Sequence, residues 1–447
     1  MTTPIVDFVK KYAESNALRL HMPGHKGRSL LGVEALDITE IEGADVLYSA
    51  QGIIKQSEEN AARLFGTKKT VYSAEGSSLA IRAMLYLAKM QAKAENKRTL
   101  IAAGRNAHKS FVTACALLNI EVDWLLPQRD ETLISCNITA DFLDARLSSA
   151  KEKPVAVFVT SPDYLGTVLD IKELSKVCEK HGVLLLVDNA HGAYLKFLPE
   201  SLHPITLGAH MCCDSAHKTL PALTGSAYLH IAHSAPQDFC EKAEIAMSLF
   251  ASTSPSYLIL QSLDMLNKYL SEDYHKLLAE FKKKVDALKD DLMAFGFTLL
   301  GDEPLKLTIA PKDFGYTGYE LAKILARGQI VCEFSDPDFT VMMLSLEIGT
   351  KGLDRIKEVL SAIQRKPAIT TKPPRLSLKE KRVSLNEALF SPSKELCVDK
   401  CCGKIMATPT VACPPAIPIV VCGEEIDRDA VKTFEYYGIT SCFVLDK

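Results

Sequence analysis

The sequence contains a single tryptophan, few aromatic residues and no large excess of charge of either sign. Its 52 basic and 55 acidic residues give a formal net charge of −3, which offers no electrostatic support for nucleic-acid binding. No apolar run approaches the ~20 residues that a membrane-spanning helix needs. The N-terminal residues also lack the basic start and apolar stretch of a secretory signal. We therefore expect a cytoplasmic protein with no nucleic-acid or membrane partner.

Cysteine is plentiful, with 13 residues, but no Cys-x-x-Cys pair or Cys/His spacing typical of a zinc site is present. Without an export signal, this predicts reduced thiols rather than disulfides. The cysteines near the C-terminus include Cys397, Cys401, Cys402, Cys413 and Cys422. We predict that these are buried or free thiols and that the protein holds no metal.

From about residue 70 to 230, short β-like apolar runs alternate with helical patterns, which predicts an α/β fold with a mostly parallel sheet. The predicted strands span residues 99–102, 120–126, 155–160, 183–187, 210–213 and 226–231. The predicted helices span residues 78–96, 171–181, 236–248 and 257–295. The last of these is predicted as one long helix that leaves the large domain, and Pro236 is predicted in the first turn of its helix.

Residues 297–364 follow the pattern β, β, α, β, β, α, which predicts a second, smaller α/β domain. The predicted organisation is an N-terminal arm (1–30), a large domain (31–260), a small α/β domain with its linking helix (261–364), an exposed Pro-rich basic linker (365–382) and a small C-terminal appendage (383–447).

Two residues with chemical potential follow predicted strands. Asp188 comes directly after the strand at 183–187, at the carboxyl end where α/β sheets bind ligands. Lys218 follows another strand, beside Ser215 and His217, and precedes an apolar stretch. Such a setting would desolvate the amine, as a Schiff-base lysine requires. Taken singly, the aspartate would be a helix cap and the lysine a surface charge.

A third element is the run Gly76-Ser77-Ser78 before a predicted helix. Backbone N–H groups, two hydroxyls and the positive end of the helix dipole would together stabilise a phosphate there. A phosphate loop, a carboxylate and a lysine in this order fit pyridoxal 5′-phosphate, whose aldehyde, ring nitrogen and phosphate need these three groups.

Five motifs narrow this interpretation: HMPGHKG at 21–27, RNAHKS at 105–110, SAHKTLP at 215–221, TSPSY at 253–257 and CPPAIP at 413–418. In this order they resemble the Orn/Lys/Arg decarboxylase family in its short form, among the fold-type-I enzymes of the aspartate aminotransferase superfamily. The resemblance covers about residues 20 to 430. It implies a PLP-dependent transferase-like fold and decarboxylation of arginine, lysine or ornithine to the amine, in amino-acid metabolism and polyamine biosynthesis.

The resemblance also implies roles for individual residues. Lys218 would form the Schiff base, Asp188 would pair with the pyridine nitrogen, and His108 would stack on the ring as a further catalytic residue. Other predicted cofactor contacts are Gly76, Ser77, Ser78, Ala190, Ser215, His217 and Ser254. Thr253 or Ser254 would reach the phosphate of a neighbouring subunit, because such sites lie at the interface of a homodimer or higher homo-oligomer. Glu75 departs from the family, which often has Asn there.

Several alternatives stay open on the sequence. An aminotransferase usually clamps the substrate carboxylate with an arginine on a late strand, and residues 340–346 contain none. An aldolase or β-lyase on the same cofactor is the next alternative, followed by a non-catalytic dimerising relative, which the presence of Lys218 disfavours. Asp163 is either a contact for the substrate's distal cation or a loop cap, and the cap is preferred. Thr253 and Ser254 are equally predicted as a helix cap. The motif that contains His25 suggests a place near the active site, and a structural N-terminal arm is an equal alternative.

Overall fold

The structure, a computed structural model, describes residues 1–126, 134–374, 379–409, 412–413 and 416–446. The α-helices are α1 (Pro4–Ala13), α2 (Ile53–Phe65), α3 (Ser77–Ala94), α4 (Lys109–Leu118), α5 (Ala140–Ser149), α6 (Ile171–His181), α7 (Ala216–Thr219), α8 (Gln237–Ser248), α9 (Tyr257–Ser271), α10 (Tyr274–Phe295), α11 (Gly318–Arg327), α12 (Gly349–Ser361), α13 (Leu385–Phe390) and α14 (Arg428–Tyr436).

The strands are β1 (Lys69–Ser73), β2 (Leu100–Gly104), β3 (Glu121–Leu125), β4 (Ala156–Thr160), β5 (Leu184–Asp188), β6 (Met211–Asp214), β7 (Ala227–Ile231), β8 (Thr298–Leu300), β9 (Lys306–Ala310), β10 (Phe334–Ser335), β11 (Thr340–Met343), β12 (Ser393–Cys397), β13 (Ala412–Cys413), β14 (Ile417–Pro418) and β15 (Ser441–Leu445). The chain forms two compact units: unit 1 comprises Met1–Ala94 and Ile171–Leu278, and unit 2 comprises Glu95–Asp170 and Ala279–Lys447.

Unit 1 contains a run of strands in the order β1-β7-β6-β5. The pair β5–β6 is parallel, while β6–β7 and β1–β7 are antiparallel. Every residue of β5, β6 and β7 is buried, and α3 packs on β6 and β7. Both Asp188 and Asp214 are the last residues of their strands, so the sheet sets these two carboxylates at neighbouring strand ends.

Unit 2 contains the parallel strands β4-β2-β3 and an antiparallel four-stranded sheet in the order β10-β11-β9-β8. The C-terminal residues add two antiparallel pairs, β12–β15 and β13–β14. An apolar core joins the C-terminal residues to the small sheet through buried side chains such as Val341, Met406, Val420 and Phe434. The C-terminal residues are therefore part of the packed core of unit 2.

The structure confirms the α/β class and the mostly parallel sheet, and each predicted strand is present within two residues of its predicted bounds. The β, β, α, β, β, α pattern of residues 297–364 is also found. The predicted domain boundaries stay a prediction.

Two local predictions were wrong. The single helix predicted at 257–295 is two helices, because Glu272 leaves helical geometry with φ −90° and ψ −135° between α9 and α10. Pro236 is the N-cap of α8, with extended ψ of 140°, and does not lie in the first helical turn. Strand β1 and helices α1 and α2 were not predicted.

Along the described chain, no helix is both long enough and apolar enough to cross a membrane. The 12 cysteines whose side chains the structure describes are free thiols, as predicted. The sulfur atoms of Cys401 and Cys442 lie 3.2 Å apart. Pro414 and Pro415 of the last sequence motif, and residues 375–378 of the predicted linker, lie outside the described residues.

Candidate active site

The turn before α3 is built to leave space at the helix N-terminus. Gly76 has φ +74°, a conformation that favours glycine, and a Cβ added there would meet nothing within 4 Å. The Ser73 hydroxyl donates to the carbonyl of Gly76 at 2.9 Å, and Gly76 N donates to Gly225 O at 2.8 Å. The open space therefore lies at the positive end of an 18-residue helix, where an anion is stabilised.

Two predicted phosphate contacts are brought together at this turn. Ser215 Oγ donates to Ser77 Oγ at 2.8 Å, which joins the start of α3 to the residues that follow β6. Ser78 is the second residue of α3. His217 is half-buried, and its Nδ1 lies 2.9 Å from Ser226 O. The structure thus pairs Ser77 with Ser215 and gives His217 a backbone partner.

Asp188 ends β5 and is almost fully buried. Its Oδ1 accepts hydrogen bonds from Ala190 N at 3.2 Å and from Cys213 Sγ at 3.5 Å. Among the described residues, its side-chain hydrogen bonds all fall on Oδ1. The carboxylate is therefore held in place by one oxygen and keeps acceptor capacity for a protonated ring nitrogen.

Lys218 lies in the short helix α7, and its Nζ is 3.0 Å from His191 Nε2. The expected desolvation of this amine was wrong: Lys218 is exposed, because only its neighbours in α7 are packed into the core. His191 is buried and was not predicted as a site residue. Its position three residues after Asp188, in the same turn, was the available signal.

Glu75, the residue that departs from the family, has a structural partner. Its Oε1 accepts a hydrogen bond from Ser252 N at 2.7 Å, so the carboxylate links the turn before α3 to the loop before α9. Thr253 and Ser254 in that loop are exposed. The N-cap of α9 is Ser256, so the alternative of a helix cap at Thr253 or Ser254 was wrong.

His108 belongs to unit 2, where it is the N-cap of α4 and its Nδ1 accepts from Ser110 N at 3.1 Å. Its stacking role stays a prediction. Asp163, also in unit 2, is buried and accepts from Thr167 N at 2.8 Å and Ser135 Oγ at 2.6 Å, which supports the loop cap. In unit 1, His25 lies 3.3 Å from Asp37 within the N-terminal segment, as in a structural arm.

The residues of unit 1 fit the chemistry of pyridoxal phosphate. The open turn at Gly76 offers a helix N-terminus and hydroxyls to a phosphate, Asp188 offers a buried carboxylate to a ring nitrogen, and Lys218 offers an exposed amine to an aldehyde. These groups follow the ends of β1, β5 and β6. Together the fold and these groups define a fold-type-I pyridoxal-phosphate enzyme.

Comparison with known proteins gives the family. The sequence pattern of the Orn/Lys/Arg decarboxylase major domain matches residues 3–296, and the chain belongs to that family. It is a decarboxylase that uses pyridoxal phosphate, as the sequence motifs predicted.

Several relatives are similar over nearly the whole chain. The arginine decarboxylase of Bacillus subtilis (strain 168) is 29% identical, over 96% of this chain and 92% of the relative. The arginine decarboxylase of Halalkalibacterium halodurans is also 29% identical, over 95% of this chain and 91% of the relative. Among solved structures, the lysine decarboxylase of Francisella novicida superposes with a TM-score of 0.81 at 18% identity, over 99% of this chain and 81% of that chain. At this identity the superposition supports the fold alone.

Proposed function

We propose that this chain is an arginine decarboxylase, which releases the α-carboxylate of arginine as carbon dioxide and leaves the corresponding amine. The observation that carries the chemistry is the grouping in unit 1 of the open phosphate turn, the buried carboxylate of Asp188 and the amine of Lys218. The choice of arginine is supported by the names of the Bacillus subtilis and Halalkalibacterium halodurans relatives, both arginine decarboxylases.

Each group of the site has a distinct task in this proposal. Lys218 would bind the cofactor's aldehyde carbon, and Gly76, Ser77, Ser78, Ser215 and His217 would hold its phosphate. Asp188 would keep a proton on the ring nitrogen, and Ala190 would lie against the ring. When bound, the cofactor supplies an electron sink for the electron pair left behind by carbon dioxide.

His191 is the residue best placed to manage protons on Lys218. The two nitrogen atoms are 3.0 Å apart, within reach for proton transfer. The imidazole is buried, which fixes its orientation toward the amine. We infer that His191 orients Lys218 Nζ and exchanges a proton with it when the amine gains or loses its charge.

The composition of strand β11 favours loss of the substrate's α-carboxylate over its retention. An aminotransferase holds the substrate's carboxylate with an arginine, and β11 carries none. A substrate carboxylate that no arginine holds is free to leave as carbon dioxide once it is shielded from water. This absence favours decarboxylation over amino transfer.

We propose that the active form is a homodimer or a higher homo-oligomer. The N-terminal segment of unit 1 exposes a set of large apolar side chains: Leu18, Leu20, Met22, Leu30 and Leu31. Clustered exposed apolar residues are typical of protein interfaces. Replacing Leu20 and Leu31 by Glu should give monomers in light scattering; an unchanged mass would place the interface elsewhere.

We also propose a cytoplasmic location and a part in polyamine biosynthesis. The free thiols of the described cysteines are consistent with a reducing compartment. A basic amino acid that loses its carboxylate becomes a polycationic amine, which is the raw material of polyamines.

Carbon dioxide release from arginine, lysine and ornithine tests the proposal. The enzyme is assayed with and without added pyridoxal phosphate, at equal substrate concentrations. We expect the highest kcat/KM for arginine. A preference for lysine or ornithine would correct the substrate, and the absence of carbon dioxide from all three would overturn the proposal.

A further inference from the structure

The roles described above do not use the buried carboxylate of Asp214, which lies close to Lys218 in the chain. Asp214 ends β6, is fully buried and precedes Lys218 by four positions. Charged side chains are rarely buried to this degree unless they are paired. The surroundings of Asp214 therefore indicate a specific task.

Three side chains from other segments surround this carboxylate, and Cys212 Sγ of β6 donates to its Oδ1 at 3.9 Å. Asn189 Nδ2 donates to Oδ1 at 2.6 Å, His203 Nε2 lies 3.0 Å from Oδ2, and His230 Nε2 lies 3.3 Å from Oδ2. All of these side chains are fully buried. These three side chains come from different segments. Asn189 lies in the turn after β5, His203 lies in the segment before β6, and His230 lies in β7. The carboxylate thus joins three segments of unit 1 at one point.

The donors stabilise Asp214 as an anion. Burial raises the pKa of a carboxyl group, but the two imidazoles outweigh burial and hold the pKa of Asp214 well below its usual range. Burial lowers the pKa of His230, which favours the neutral ring. Its Nδ1 lies 2.9 Å from the hydroxyl of Thr70, and its Nε2 faces Asp214 Oδ2 at 3.3 Å without hydrogen-bond geometry.

The anion connects the two turns that carry the proposed cofactor contacts. Asn189 follows Asp188 directly, and its backbone N also donates to Cys213 O at 3.0 Å. The chain after Asp214 continues into Ser215 and Lys218. A shift of the Asn189–Asp214 hydrogen bond would therefore change the spacing between the Asp188 carboxylate and the Lys218 amine.

The same three residues, His203, Asp214 and His230, could in principle hold a metal ion, since their ligand atoms lie within 4.8 Å of one another. The separation of 3.0 Å between His203 Nε2 and Asp214 Oδ2 is that of a hydrogen bond. A metal-bound histidine almost always donates its other ring nitrogen to a partner, and His203 Nδ1 has none among the described residues. A hydrogen-bonded network explains the cluster better than a metal.

We propose that Asp214 is a positioning residue, which fixes the turn of Asp188 relative to the turn of Lys218 and thereby sets the fit of the cofactor. The inference rests on the proposed function of these two residues. It assigns to His203 and His230 the task of holding the Asp214 anion, with no contact to the cofactor.

Titration of the apoprotein with pyridoxal phosphate tests this inference. The readouts are the dissociation constant and the pH at which the visible band of the lysine-bound cofactor changes. In Asp214→Asn, the new side-chain NH₂ group faces at least one N–H donor that the carboxylate used to accept. We therefore expect the affinity for pyridoxal phosphate to fall about tenfold or more and the pH midpoint of the visible band to move. Asn189→Ala removes only the link between the turns and should change both readouts in the same direction.

Asp264→Asn is the matched control, because Asp264 is also a fully buried carboxylate in unit 1 but receives Ile5 N, Val6 N and Ser57 Oγ instead. It should lower thermal stability without changing either cofactor readout. Wild-type values in Asp214→Asn would overturn the inference. If that variant does not fold, wild-type values in Asn189→Ala would overturn it.

Two further outcomes are distinguishable. A stoichiometric metal in the purified protein that is lost in Asp214→Asn would replace the network by a metal site. No visible band in the wild-type protein would overturn the proposed function itself, whereas a normal wild-type band with unchanged variants would overturn only the role of Asp214.

Discussion

Asp188 in unit 1 and Asp163 in unit 2 both follow a buried strand, and both side chains are almost completely buried. Asp163 has both oxygens occupied by its own chain, through Thr167 N and the Ser135 hydroxyl. Asp188 is held through Oδ1 alone, by Ala190 N and Cys213 Sγ. A strand-end aspartate is thus available for chemistry only where the surrounding residues leave acceptor capacity.

Two basic side chains, Lys218 in unit 1 and Arg105 in unit 2, differ in the same way. Lys218 in unit 1 is exposed and contacts an imidazole, His191. Arg105 in unit 2 is fully buried and donates to Pro418 O, Ile419 O and Glu424, all in the C-terminal residues. One cation is free to react, and the other holds the chain together.

The largest expected effect is that of Lys218→Ala, which removes the amine that would bind the cofactor. We expect carbon dioxide release to fall to background, with no covalent adduct and an unchanged circular dichroism spectrum. Lys176→Ala, at an exposed surface lysine of the same unit, is the control and should keep full activity. Turnover in Lys218→Ala would remove this residue from the mechanism.

The next largest effect comes from replacing Asp188 and Asp163 by the same residue, asparagine, and comparing the results. Asp188→Asn should lower kcat by about 100-fold or more, because a neutral amide cannot keep the ring nitrogen protonated. Asp163→Asn should keep kcat within about twofold and lower the free energy of unfolding by about 1 kcal/mol. Steady-state kinetics and urea unfolding measure both. Equal kinetic effects at the two positions would break the comparison.

Arg105→Met tests whether the cation of unit 2 is structural. The substitution leaves Glu424 buried without its partner, so we expect a loss of about 3–5 kcal/mol in unfolding free energy. The double variant Arg105→Met/Glu424→Gln should recover part of that loss. Equal unfolding free energies in the single and double variants would show that Arg105 and Glu424 do not stabilise each other.

The last effect is one of pH dependence and concerns Glu58, a buried carboxyl with no proposed catalytic role. Burial raises the pKa of Glu58 to about 8, although Tyr72 N donates to it at 2.9 Å. A raised carboxyl pKa gives stability that is complete below the ordinary value of 4.5 and is lost as the pH rises through about 8.

Glu58→Gln should therefore flatten the fall in unfolding free energy between pH 5 and 8, a slope of up to about 1.4 kcal/mol per pH unit. Urea unfolding at several pH values measures this slope. Glu59→Gln, at the exposed neighbouring position, should keep the wild-type slope. An unchanged slope in Glu58→Gln would mean that this group ionises normally.

The sequence predicts the strands well because fully buried strands are short, apolar and bounded by polar residues, as at β5 and its terminal Asp188. It does not predict the break between α9 and α10, since the residues around Glu272 include no proline or glycine. Strand β1 is also missed: it pairs antiparallel with β7, outside the alternation of strands and helices that guided the prediction.

Within the site, motifs predict residues that are close together in the chain, such as Ser215, His217 and Lys218. They do not predict the cluster of His203, Asp214 and His230, which only the pairing of β6 with β7 and the preceding segment assembles. The partner of Glu75 is Ser252, 177 positions away, which no local pattern could supply.

The most direct test of the central claim is borohydride reduction of the purified protein with pyridoxal phosphate, followed by digestion and mass spectrometry. Reduction makes the link between lysine and cofactor permanent. The account predicts one stoichiometric phosphopyridoxyl group on the peptide that contains Lys218, and none in Lys218→Ala. A modification on another lysine, or no modification at all, would contradict it.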